Sequence, residues 1–146
     1  EDVDGEPFLT VVHPESYVNY IKDSCFRNKK LAEVQLSPAS WEAAKTAVGL
    51  TVLASIQGDF AAVRPPGHHA GRESSSGFCL FNNIAIAVQK LVNKGKKVVI
   101  LDIDAHHGNG TQEIFYNKIG VPLPRVPSAG QKQVVQRQVV KKKDSQ

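Results

Sequence analysis

The sequence contains no methionine, only two cysteines and no apolar run long enough to cross a bilayer. Two cysteines, Cys25 and Cys79, are too few for the disulfide framework of a secreted domain. We therefore predict reduced thiols in an intracellular protein of the cytoplasm or nucleus. The acidic start, residues 1–4, excludes a secretory signal peptide. Because no methionine is present, we expect a fragment or a processed product.

Charge is distributed unevenly along the chain, whose net charge is +4. Residues 118–146 hold seven Lys or Arg and one acidic residue, whereas residues 1–117 have a net charge of −2. Such a basic, polar segment is more often a solvated tail than a nucleic-acid-binding arm. We therefore predict a folded part over residues 1–117 and an atypical, disordered basic tail over 118–146, with no direct contact to nucleic acid or membrane.

Helical spacing of apolar residues predicts three helices, over residues 14–26, 38–57 and 83–92. Ser37 and Pro38 are a favoured N-cap and first helical residue, so they predict where the second helix begins.

Two other segments, residues 60–64 and 97–103, are predicted to be strands, the second of them buried and parallel because it is continuously apolar and β-branched. The order of helices and strands indicates an α/β fold with a parallel sheet and flanking helices. Residues 133–140 are compatible with a strand or a loose helix.

Polar side chains follow the second predicted strand. Asp102, Asp104 and His106 alternate along the chain, so in an extended backbone they point to the same side. Two carboxylates at close range are costly unless a cation neutralises them, and zinc accepts aspartate oxygen and histidine nitrogen. We predict Asp104 and His106 to be metal ligands, with Gly108 and Gly110 allowing a tight turn behind them. A metal site of another class is the competing hypothesis.

A second polar cluster, Arg64-Pro65-Pro66-Gly67-His68-His69, lies in a loop that is rich in proline and glycine. We expect Gly67 to adopt an unusual backbone angle before the histidines. If His68 and His69 have different partners, their pKa values separate, which is how a general acid and a general base are produced. Taken alone, the pair is more typical of a solvated loop.

A third segment, residues 77–83, begins with Gly77 and Phe78 after a polar loop. Phe78 is predicted to form an aromatic wall beside the histidines, since a narrow apolar channel suits a long aliphatic side chain such as lysine. The alternative is that Phe78 is an ordinary core residue, as we expect Phe81 to be.

Together these segments resemble the histone deacetylases and their bacterial and archaeal relatives, the acetoin-utilisation and acetylpolyamine amidohydrolase proteins. The resemblance covers about residues 10–117. The motifs that carry it are RPPGHH (64–69), GFC (77–79) and DIDAHHGNG (102–110), with weaker likeness in HPESYVNY (13–20) and SPASWEAA (37–44). It implies the arginase/deacetylase-like fold, of which the chain would hold only the N-terminal half.

The resemblance implies a role for four polar residues in acid–base chemistry. His68 and His69 would be the paired general acid and base that handle the attacking water and the leaving amine. Asp102 would hydrogen-bond to the first histidine, and Asn109 would stand behind the second.

The resemblance also implies metal and substrate contacts. Asp104 and His106 would bind a catalytic zinc ion, and Asp102 and Asp104, with the backbone of His106, would hold a structural potassium ion. Gly77 and Phe78 would line the channel for the substrate, an acetylated histone-like protein or a small acetyl-amide.

The implied function is zinc-dependent hydrolysis of an acetyl-amide, most simply deacetylation of acetyl-lysine. Two members of the family pattern are missing, a third zinc-binding aspartate and a tyrosine that stabilises the transition state, since after Asn117 the sequence has only one carboxylate, Asp144, and no tyrosine. Two alternatives therefore stay open: a truncated deacetylase that is inactive alone, and a relative that acts on acetylpolyamines or other small amides.

Overall fold

The computed structural model describes residues 3–31 and 33–116 and the backbone of Val139–Val140. It begins with a 3₁₀ helix over Glu6–Val11 and continues with helix α1, Glu15–Phe26. The remaining elements follow in chain order: β1 Lys30–Leu31, β2 Val34–Gln35, α2 Pro38–Gln57, α3 Asn83–Asn93, β3 Ile100–Leu101, α4 Asn109–Phe115 and β4 Val139–Val140. The predicted tail lies outside the described residues apart from the backbone of β4, so the domain boundary near residue 117 stays a prediction.

The three predicted helices are confirmed, and their ends follow local signals in the sequence. Helix α2 begins at Pro38, and the N–H of Ser37 donates to Oγ of Ser40 at 3.1 Å. The helix ends at Gln57, and the capping residue Gly58 has a left-handed φ of +76°, a conformation for which glycine is favoured after a helix C-terminus. Asn82 caps α3, because its side-chain oxygen accepts the N–H of Ala85 at 3.1 Å.

The core lies where α2 and α3 pack against each other and against the 3₁₀ helix. Helix α3 is buried on nearly all sides over residues 83–88, rather than on one face as predicted. Phe81 is fully buried, as predicted, and its ring meets Trp41 of α2 edge to face at 6.0 Å. Both cysteines are buried free thiols. In the described ranges no helix is long and apolar enough to cross a membrane.

The predicted parallel sheet differs from what is observed in the described part of the chain, where β1–β2 and β3–β4 are both antiparallel pairs of two residues. Residues 60–64 form no strand, and Phe60 is 67% exposed. In segment 97–103 burial alternates, so that Val98 and Ile100 are buried while Val99 and Leu101 are half-exposed. The strands of a parallel sheet are normally covered on both faces, whereas in the described part of the chain this segment is buried on one face only.

Candidate active site

The two adjacent histidines stand in the loop between α2 and α3, with ring centroids 4.0 Å apart and ring planes at 50°. The backbone of this loop is held by α4 and α3. The N–H of Thr111 donates to the carbonyl of His68 at 3.1 Å, and Asn82 Nδ2 donates to the carbonyl of Ala70 at 2.9 Å. The backbone of residues 68–70 is therefore held by Thr111 in α4 and by Asn82, the N-cap of α3.

Gly67 does not have the unusual backbone angle that was predicted, since its φ is not positive. The lack of a side chain serves close packing instead. A β-carbon at Gly67 would come within 2.6 Å of the backbone nitrogen of Asn83 at the start of α3. The glycine thus brings the histidine loop against the helix N-terminus.

His68 is buried and its Nδ1 lies 2.8 Å from Oδ2 of Asp102. Burial by itself lowers the pKa of His68, but the hydrogen bond to Asp102 and the charges of Asp102 and Asp104 outweigh it, so the pKa is raised. Burial likewise raises the pKa of Asp102, and the bonds to His68 and to the N–H of Asp104 reverse that effect and lower it. The pair therefore favours a protonated imidazole beside an ionised carboxylate.

His69 has a different partner, the side-chain amide of Asn109, whose Oδ1 lies 2.6 Å from Nδ1 of the imidazole. Because an amide oxygen can only accept, Nδ1 carries the proton and Nε2 keeps a free lone pair. Asn109 is the first residue of α4. One histidine is thus paired with a charged carboxylate and its neighbour with a neutral amide, which is the asymmetry that the sequence predicts for an acid and a base.

The segment after β3 folds back through two successive aspartate turns. The N–H of Asp104 donates to Oδ1 of Asp102 at 3.1 Å, and the N–H of His106 donates to Oδ1 of Asp104 at 2.6 Å. Such turns are a common use of aspartate in loops. They bring the side chains of Asp104 and His106 together, whereas the Asp102 carboxylate turns to His68, and the backbone there is not the extended strand on which the predicted convergence was based.

Asp104 and His106 face each other across 3.3 Å, measured from Oδ1 to Nδ1. Two ligands of one tetrahedral zinc ion, at bond lengths of about 2.0–2.2 Å, stand roughly that far apart. The Asp104 carboxylate is only 4% exposed, and its Oδ2 lies 4.0 Å from Nε2 of His68. The donor chemistry and the separation of Asp104 and His106 thus fit two ligands of one zinc ion. A third ligand is not found, since residues 3–31 and 33–116 hold no group of three His, Cys, Asp or Glu side chains that could bind a metal.

Gly77 and Phe78 form a turn in which both residues have positive φ, +53° and +65°. A bulky residue rarely adopts that conformation, and such strain is concentrated at functional sites. The turn leaves the Phe78 ring 59% exposed, so Phe78 is not a core residue. It borders an open groove of about 1020 Å³. The groove is also lined by His68, His69, Gly77, Asp104 and His106.

Sequence reasoning assigned no role to three buried polar residues that hold the site from behind, His13, Asn82 and Thr111. His13 accepts a hydrogen bond from the N–H of Asn82, and Asn82 Nδ2 donates to Thr111 Oγ1 at 3.1 Å. Two of them lie in segments that the sequence analysis considered, His13 in residues 13–20 and Asn82 in residues 77–83. Their partners lie 29 and 69 residues away, so no local pattern predicts the pairing.

Comparison with known proteins gives the family context of this geometry. Residues 5–126 match the model of the histone deacetylase domain. A solved structure described as the HDA15 HD domain superimposes with a TM-score of 0.73 at 36% sequence identity, covering 80% of this chain and 36% of that chain. This likeness confirms the predicted fold class, the arginase/deacetylase fold, of which the chain represents a part.

Two curated relatives illustrate the range of names in the family. Acetylpolyamine amidohydrolase of Mycoplana ramosa is 47% identical over 94 residues, which are 60% of this chain and 28% of the relative. Histone deacetylase 5 of Arabidopsis thaliana is 40% identical over 129 residues, which are 74% of this chain and 20% of the relative. The chain therefore spans between a fifth and a third of the length of these relatives.

Proposed function

The chain belongs to the histone deacetylase family, and on that premise we propose that its groove is a zinc-dependent site for the hydrolysis of acetyl-amides, most simply of acetyl-lysine in proteins. The family's relatives are named deacetylases and amidohydrolases, so a hydrolase is supported. The single observation that carries the proposal is the placement of two differently paired imidazoles, His68 and His69, in one groove with the facing donors of Asp104 and His106.

Zinc is the proposed cofactor, held by Asp104 Oδ1 and His106 Nδ1, the two donors of the family pattern that the described residues provide. When bound, zinc would polarise the amide carbonyl and acidify a water molecule. Asp102, Asp104 and the backbone of His106 are also proposed to hold potassium, as the family resemblance implies. The support for zinc is the 3.3 Å approach of the Asp104 carboxylate to the His106 imidazole, and the support for potassium is that the carboxylates of Asp102 and Asp104 follow each other in one turn-rich segment.

His69 is proposed to move the protons of the reaction. Its Nε2, left unprotonated by the bond to Asn109, takes a proton from the attacking water and returns it to the departing amine. The acetyl C–N bond breaks, the water oxygen joins the acetyl carbon, and acetate and the free amine leave. His68, whose pKa is raised by its bond to Asp102, stabilises in its protonated form the negative charge that develops on the acetyl oxygen.

Phe78 is proposed to contact the aliphatic part of the substrate. Its exposed ring stands at the groove with the two imidazoles, and an apolar wall favours a methylene chain over a polar one. Both acetyl-lysine and acetylpolyamines carry such a chain. Because both cysteines are free thiols, we propose that the protein acts in a reducing, intracellular compartment.

The test is turnover of the 146-residue chain on an acetyl-lysine peptide and, in parallel, on an acetylated polyamine, with acetate release as the readout. We expect the peptide to be hydrolysed faster and His69→Ala to lose activity by about 100-fold or more. His107→Ala is the matched control, since His107 is exposed and bonds to Gln112 rather than to the site. Faster turnover of the acetylated polyamine would indicate that the substrates are small amides rather than proteins. No turnover of either substrate would refute the proposed function for this chain.

A further inference from the structure

His13 is a fully buried imidazole whose two ring nitrogens both bond to backbone groups far away in sequence. Nδ1 lies 2.9 Å from the carbonyl oxygen of Arg72, and Nε2 lies 3.0 Å from the backbone nitrogen of Asn82. The side chain is 1% exposed, between the 3₁₀ helix and α1. It therefore bridges the two ends of segment 72–82.

The two bonds determine the protonation of His13. The backbone N–H of Asn82 can only donate, so Nε2 must accept, and the single ring proton sits on Nδ1, where it donates to the Arg72 carbonyl. Only the neutral ring satisfies both partners. Burial agrees with this, since it lowers the pKa of His13 to about 4.

Packing alone does not require an imidazole at this position. The ring of His13 lies 5.3 Å from those of Tyr17 and Phe81, an aromatic environment that a phenylalanine would fill equally well. Burying an imidazole costs the desolvation of two polar nitrogens, which only their hydrogen bonds offset. What the imidazole adds over a hydrocarbon ring is the connection to segment 72–82.

Segment 72–82 carries the residues that shape the groove. Gly77 packs directly on the His69 ring, because a β-carbon at Gly77 would overlap it, and Phe78 follows with its ring in the groove. Asn82 extends the connection, since its side chain bonds to the carbonyl of Ala70, immediately after His69. The contacts of His13 thus lead to Gly77, which packs against the His69 imidazole, and to Phe78, which lines the same groove.

We propose that His13 is a positioning residue, which fixes both ends of segment 72–82 and so sets the place of Gly77 against His69 and of Phe78 in the groove. The proposal deepens the function proposed above and rests on it for its catalytic consequence. His13 touches neither substrate nor metal and acts through the backbone of Arg72 and Asn82.

Two variants of the whole chain test the proposal. His13→Phe keeps the ring volume and removes both bonds, whereas in His13→Gln the side-chain oxygen can still accept from the N–H of Asn82. Val48→Ala is the control, because Val48 is fully buried in the same core but belongs to α2 and has an apolar side chain that forms no hydrogen bond with segment 72–82. Each variant is first shown by urea unfolding to be folded under the assay conditions, and if His13→Phe does not fold, His13→Gln carries the test.

The kinetic readout is the division between KM and kcat on an acetyl-lysine peptide. We expect His13→Phe to lower kcat/KM by about tenfold or more, mainly by raising KM, because Phe78 lines the groove. His13→Gln should recover part of that loss, and folded Val48→Ala should keep the wild-type values. Equal losses in His13→Phe and Val48→Ala would show a general effect of destabilisation and would overturn the proposal.

The second readout does not depend on turnover. Nuclear magnetic resonance should show accelerated amide hydrogen exchange in segment 72–82 and displaced ring signals of His69 in His13→Phe, with neither change in Val48→Ala. Unchanged His69 signals and unchanged exchange in a folded His13→Phe would overturn the positioning role. If the wild-type chain hydrolyses no acetylated substrate, the proposed function fails, while this measurement still decides whether His13 positions the segment.

Discussion

The imidazole of His69 fills the space that a side chain at Gly77 would occupy. A β-carbon built at Gly77 would lie 2.8 Å from Cγ of His69 and would overlap the ring edge. Gly77 also has a φ of +53°, which L side chains rarely adopt. Glycine is therefore required at this position for two reasons: the backbone has a positive φ, and the His69 ring leaves no room for a β-carbon.

We predict that Gly77→Ala loses acetyl-amide hydrolysis by about 100-fold or more, because the added methyl group displaces the His69 imidazole. The measurement is kcat/KM on an acetyl-lysine peptide, with folding checked by circular dichroism.

Gly95→Ala is the matched control for that variant. Gly95 lies in the loop after α3 and has a φ of +74°, and a β-carbon added there would meet no atom within 4 Å. The variant should lose about 1–2 kcal/mol of stability through the backbone alone and keep its activity. Similar activity in the two alanine variants would show that the contact with His69 is unimportant.

Asp102→Asn should lower the pKa of His68 and reduce hydrolysis by about 100-fold or more. The carboxylate outweighs the effect of burial and raises the pKa of His68, so its neutral isostere releases the ring proton at lower pH. The measurement is a titration of the His68 ring signals in the metal-free chain. Glu33→Gln, which removes an exposed carboxylate, should leave the titration unchanged.

The pKa shifts of His68 and Asp102 determine how the stability of the folded state depends on pH. The raised pKa of His68 stabilises the folded state fully below the unfolded value near 6.5, and this contribution is lost as the pH rises through the folded value. The lowered pKa of Asp102 contributes above its unfolded value, and this is lost as the pH falls. A His68 titration that is the same in Asp102→Asn and wild type would disprove the pairing.

The pKa shift of His13 gives a dependence of stability on pH that is opposite to that of His68. Its folded pKa of about 4 lies below the unfolded value of 6.5, so between these values only the unfolded chain binds the proton and stability falls as the pH falls. Between about pH 7 and about pH 5, protonation of His13 in the unfolded chain lowers the free energy of unfolding by roughly 2 kcal/mol. Urea unfolding of wild type and His13→Gln at both pH values measures it, and parallel curves for the two proteins would contradict the assignment.

The helices could be predicted from the sequence because their signals are local, whereas the candidate site residues were named from the family resemblance. The spacing along α2 predicts one apolar stripe, and the structure buries four of its residues but leaves Ile56, at the end of the helix, 49% exposed. The buried residues are Trp41, Ala44, Val48 and Val52. The bonds of His68 to Asp102 and of His69 to Asn109 also occur as the family resemblance implied.

The strands and the buried scaffold were harder to predict. A strand depends on backbone partners elsewhere in the chain, and residues 60–64 have none among the described residues. The role of His13 depends on Arg72 and Asn82, which folding brings to it from 59 and 69 residues away. Gly67 was expected to have an unusual backbone angle, but in the structure it allows the backbone of Asn83 to approach closely.

The central claim, a zinc site built on Asp104 and His106, is tested most directly by restoring metal to a chelator-treated chain while acetate release is followed. We predict no hydrolysis without metal, recovery on adding zinc, and no recovery in His106→Ala, whereas His107→Ala recovers like wild type. Hydrolysis that survives complete metal removal, or equal recovery in His106→Ala and His107→Ala, would contradict the account.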